Sequence, residues 1–133
     1  MATTKKSSIG LANSGAARTD VWTVTCPGDS TSLSVAIKDL APVKTPIISI
    51  QATKSGKSSP LSSDRGKDGD ALYSPLVTLA KGAGVYTVKV NKPLYTGSVA
   101  ANKGAELYNA LFYCQNKAGS KVANGPLINN QNQ

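Results

Sequence analysis

Apolar residues recur at every second position in several short stretches of this chain. In residues 20–26, Trp22, Val24 and Cys26 share one face while Thr23 and Thr25 take the other. In 32–40, Leu33, Val35 and Ile37 alternate with Ser34 and Lys38, and in 47–53, Ile48 and Ile50 alternate with Ser49 and Gln51. Residues 72–79 resume the apolar pattern. In 85–91, Tyr86, Val88 and Val90 oppose Thr87 and Lys89, and in 106–114, Tyr108, Ala110, Phe112 and Cys114 share a face. A period of two marks strands, because successive side chains of an extended chain point to opposite sides. Turn-forming residues separate the stretches: Pro27-Gly28-Asp29-Ser30, then 41–46 with two prolines that exclude a helix, then Lys81-Gly82-Ala83-Gly84. Residues 54–71 and 92–104 read as polar insertions, the first with room for a short strand. Nothing carries a helical period, and no internal repeat is visible.

The pattern predicts an all-β fold, a single antiparallel β-sandwich of Greek-key or jelly-roll-like type with about 7–8 strands. Its organisation reads as a flexible leader or exchanged arm at 1–17, a sandwich domain at 18–115 and a polar tail at 116–133. The chain has 133 residues, which suits one core. Aromatics are few, so Val, Ile, Leu and Ala must fill it.

Charge narrows the partners. Fifteen Lys and Arg against seven Asp and Glu give a net charge of +8. The lysines are scattered and only Lys5 and Lys6 adjoin. No basic helix and no aromatic-rich strand offers a platform for bases, which argues against nucleic acid. Scattered lysines serve solubility and guard strand edges; the partners left open are an anionic polysaccharide, an extracellular protein or a second copy of the chain. No stretch has the length of a membrane span. Residues 1–17 lack the apolar centre of a signal peptide. The chain is then either cytosolic or secreted with its signal removed, and the cysteines favour a secreted or cell-surface protein.

Cys26 and Cys114 close two of the predicted strands, both on the apolar face. If those strands are neighbours the sulfurs meet; the other reading is two buried thiols. A bond would close a loop of roughly ninety residues and contribute roughly 4–5 kcal/mol by loop-closure arguments. Two cysteines without histidine do not complete a zinc shell.

The chain has no histidine, so Ser-His-Asp and Cys-His chemistry are out of reach. Glu106 is the only glutamate. These absences predict a protein that is not an enzyme. The acidic cluster Asp64-Arg65-Gly66-Lys67-Asp68-Gly69-Asp70 offers Asp64, Asp68 and Asp70 as candidate calcium ligands. Arg65 and Lys67 offset its charge, and a solvated turn is the simpler reading. Among the aromatics, parity sends Trp22, Tyr86 and Tyr108 inward. Tyr95, in an insertion, and Tyr113, with outward parity, are the candidates for binding.

The strand sequence Gly82-Ala83-Gly84-Val85-Tyr86-Thr87-Val88-Lys89-Val90 resembles the Gly-x-Tyr-x-Val-x-Val strand of bacterial pre-peptidase C-terminal domains. Residues 20–24, 32–37 and 47–52 resemble that family's early strands, and 105–111 its closing strand. The likeness spans about residues 18 to 115 and is a pattern of apolar spacing. It implies a compact secreted β-sandwich that binds substrate or matrix, with calcium in some members. A second class of function is a self-assembling surface or filament subunit whose end segments exchange strands; Ile9 and Leu11 alternate in the leader, and Leu127 and Ile128 lie in the tail.

Overall fold

The alternating stretches become strands, and further strands form outside them. The computed structural model describes residues 3–9, 18–40, 47–64, 73–93, 106–119, 121–122 and 127–131. The strands are β1 (Thr3–Ile9), β2 (Arg18–Cys26), β3 (Ser30–Asp39), β4 (Ser49–Lys54), β5 (Lys57–Ser58), β6 (Ser62–Ser63), β7 (Val77–Leu79), β8 (Gly84–Lys92), β9 (Glu106–Asn116), β10 (Lys121–Val122) and β11 (Leu127–Gln131). They build two antiparallel sheets, one in the order β1-β9-β3-β7 with β10 also on β9, the other β11-β2-β8-β4-β5 with β6 also on β4.

Set β10, β11 and the short β6 aside, and the remaining order is a jelly roll. The first, third, sixth and eighth strands share one sheet and the second, fourth, fifth and seventh share the other, with most connections crossing between sheets. The crossings follow from the sequence. Each strand carries one apolar face, so two sheets must face each other to bury both. Leu33, Val35, Ile37 and Phe112 from one sheet meet Val24, Ile50, Val88 and Val90 from the other, all fully buried. Trp22 and Phe112 touch across the gap with ring centroids 5.8 Å apart.

Cys26 and Cys114 form a disulfide, with Cα atoms 5.7 Å apart. It joins β2 to β9, which lie in different sheets. The expected neighbours are thus neighbours across the core and share no ladder.

The leader, read as flexible or as an exchanged arm, and the polar tail contribute strands at residues 3–9, 121–122 and 127–131. β1 lies along β9 from Thr3 opposite Phe112 to Ile9 opposite Glu106. Without it, β9 would present an open edge of unpaired backbone groups. Ile9 is fully buried. Burial of one such side chain contributes about 2 kcal/mol. β11 does the same for β2, pairing Leu127 with Val24 and Ile128 with Thr23. The stretch expected at 72–79 shortens to three residues, because Pro75 has no N–H to give a ladder.

Two turns show local necessity. Ser55 and Gly56 both have positive φ (52° and 75°), as a two-residue β-hairpin turn between β4 and β5 requires. At Gly84 φ is +112°, and an added Cβ would stand 3.2 Å from Lys54 Nζ. That lysine reaches the carbonyls of Lys81 and Ala83 and lies 5.2 Å from the Tyr86 ring centroid. Tyr86 in turn donates its hydroxyl to Gly82 O at 2.7 Å. Lys54 and Tyr86 thereby pin the 80–84 turn.

Candidate functional site

Alternation continues past the apolar residues at one end of the sandwich and turns polar there. Asp20 keeps the inward parity of Trp22 and Val24, Asp39 that of Ile37, and Lys92 that of Val88 and Val90. All three are buried. The registers Asp39 opposite Tyr108 and Arg18 opposite Lys92 set them at the same end. Ile9, Arg18, Leu40 and Asp64 border this end too.

Tyr108 ties the sheets together there. Its hydroxyl donates to Asp20 Oδ2 at 2.7 Å and accepts from Trp22 Nε1 at 3.1 Å. Burial pushes the phenol well above its ordinary value, and the hydrogen bond to Asp20 adds to the rise. The proton therefore stays on Tyr108, and the pair acts as a neutral donor clasped to a carboxylate. Asp64 Oδ2 accepts from the backbone N–H of Asp39 at 2.7 Å. Lys92 is buried and its Nζ has no hydrogen-bond partner. Only its strand parity signalled this in the sequence, since the apolar reading of β8 stops at Val90.

The candidates fare differently. Asp64 is 4% exposed and already holds a backbone amide, so it is a poor fit to a calcium site open to solvent. Asp68, Asp70 and Tyr95 lie outside the described residues. Among the described residues no three His, Cys, Asp or Glu side chains are grouped to hold a metal ion. Tyr113 has the outward parity expected, opposite Ser34, but it is only 7% exposed. The outer face of this sheet is packed around it: Ser32, Ser34 and Ala36 on β3 are buried as well. Tyr113 is therefore corrected from a surface residue to a packed one. Trp22, Tyr86 and Tyr108 are buried as parity predicted.

Burial also partitions charge. Among the described side chains three of the four acids, Asp20, Asp39 and Asp64, are buried, against Lys92 of the nine bases. That leaves Asp29 as the one acid beside eight bases that are not buried among those side chains. The described part of the exterior is therefore strongly basic.

The chain matches no protein-family model, no curated protein and no solved structure. No helix among the described residues is long and apolar enough to cross a membrane.

Proposed function

We propose that this chain is a secreted, non-catalytic β-sandwich module that binds anionic extracellular or cell-surface material. The carrying observation is the charge partition: among the described side chains the fold buries three of four acids and one of nine bases. Such an exterior attracts polyanions and raises their association rate. The disulfide suits an oxidising compartment, and jelly rolls serve as lectin domains among other roles. The likeness to pre-peptidase C-terminal domains supports the same reading. The test is a binding screen of the whole chain against sulfated and uronate polysaccharides and extracellular matrix proteins at low and high salt. Salt-sensitive binding to the polysaccharides supports the reading, and uniform absence of binding ends it.

A second reading, a self-assembling structural subunit, has its own observation. β1 and β11 are the outermost strands of the two sheets, and the Cys26–Cys114 bridge places both on one flank. Strands so placed can pair with a neighbour's sheet in place of their own. Light scattering over a range of concentrations, on the full chain and on residues 18–133, tests it. Larger species that vanish with the deletion support it; a monomer in both rules it out.

A further inference from the structure

We infer that the outer face of the β1-β9-β3 sheet carries the contact for a sulfated or uronate polysaccharide, built from Lys6, Asn109 and Lys38 with Tyr73 as a support. This deepens the first functional reading and rests on it.

The register makes the site. Lys6 on β1 and Lys38 on β3 are both paired with Asn109 on β9. The three residues form one row across adjacent strands. Their parity is opposite to that of the core-facing Ile9, Ile37, Asp39, Tyr108 and Ala110, and unlike Ser34, Ala36 and Tyr113 further along the same face they are not buried. Neighbouring strands lie about 4.8 Å apart, so the two lysine Cα atoms stand roughly 10 Å apart with an amide between them. Lys6 is exposed, and Lys38 and Asn109 are partly so. Lys38 Nζ lies 4.9 Å from the Tyr73 ring centroid, which restrains an otherwise mobile ammonium. Asp29 is the one exposed carboxylate among the described side chains, and it lies in the turn at the opposite end.

Edge protection accounts for Lys6, which is on the outermost strand. At Lys38 the far side of β3 is capped, since Ser74 bonds the backbone of Ile37 and Asp64 that of Asp39, so no open edge is left there to guard. The occupant follows from what the face lacks. Among the described residues the exposed large apolar ones are Ile47, Leu61, Leu76 and Val85, none of them aromatic. The Tyr73 ring is engaged by Lys38. Single-stranded nucleic acid needs aromatic platforms for its bases. A polysaccharide needs spaced cations for its sulfates or carboxylates and an amide for its hydroxyls, which is what the row supplies.

The experiment measures affinity for immobilised heparin and polygalacturonate, with a DNA oligonucleotide of similar length as the third arm. The double variant K6Q/K38Q is compared with K57Q/K117Q, which removes the same charge from two other exposed lysines. We expect K6Q/K38Q to lose polysaccharide affinity by about tenfold or more and K57Q/K117Q by about twofold, since only the paired site holds the chain in register. Tyr73→Ala is expected to weaken binding severalfold and Tyr73→Phe to restore it, because the ring and not the hydroxyl faces Lys38. Equal losses in the two double variants overturn the site while leaving the module reading intact. No binding by the parent chain overturns both. Tighter binding of the DNA overturns the choice of occupant.

Discussion

The residues that depart from the apolar pattern define the polar end of this fold. Tyr108 is the clearest case, since it gives a hydrogen bond to Asp20 and takes one from Trp22 across the sandwich. Tyr108→Phe removes both and is expected to cost about 1–3 kcal/mol at neutral pH, read from urea denaturation. The folded pKa is raised above the ordinary 10.0, so the neutral phenol favours the fold. That stabilisation is complete below the unfolded value and fades as pH rises from there toward the folded one. The parent should therefore lose stability above about pH 10 more steeply than Tyr108→Phe does; equal slopes would remove Tyr108 from the account. Lys92 makes the opposite forecast. Its buried Nζ has no acceptor, so Lys92→Met should hold or raise stability, by about 1–3 kcal/mol at most. A marked loss in the same denaturation assay would mean that Lys92 is paired. Sequence parity could place Asp20, Asp39 and Lys92 inward, but their polarity hid it: each is the next inward position, two residues beyond the last apolar one, and a reading that counts only apolar positions passes over it.

At the scale of elements, the strands with strong alternation were legible to within a residue or two. Residues 20–26, 85–91 and 106–114 all lie inside observed strands. Those with weak alternation were not. β1 carries Thr, Lys and Ser with Ile9 as its one large apolar residue, so its strand state comes from the edge of β9 that it covers. Local propensity does not encode such a partner-dependent strand. The short strand for which 54–71 leaves room appears as two, β5 and β6, the first entered through the Ser-Gly turn at 55–56. Because Ile9 is the buried anchor of β1, Ile9→Ala is expected to cost about 2–4 kcal/mol. Hydrogen exchange should then show the amides of 3–9 losing protection before those of β3. Protection lost evenly across both sheets would contradict an anchored, separable strand.

For the whole molecule, the two cysteines were the most legible feature, and the structure changed what they mean. They staple the two sheets face to face through a sequence separation of 88 residues. Replacing both with Ala should lower stability by roughly 4–5 kcal/mol. For a domain of this size the melting temperature would fall on the order of 10 °C or more. Calorimetry with and without reductant checks this, and an unchanged melting temperature would show that the bridge contributes little. Net charge was equally plain in the sequence, but its distribution was not, since only the fold sends three of the four acids among the described side chains inside. That distribution is the basis for expecting an anionic partner. The most direct test is titration calorimetry of the intact chain with a short sulfated oligosaccharide at rising ionic strength. The account predicts saturable binding to a single site that weakens on the order of tenfold as the screening length shrinks from about 30 Å to about 8 Å. No binding at the lowest salt, or an affinity indifferent to salt, would contradict it.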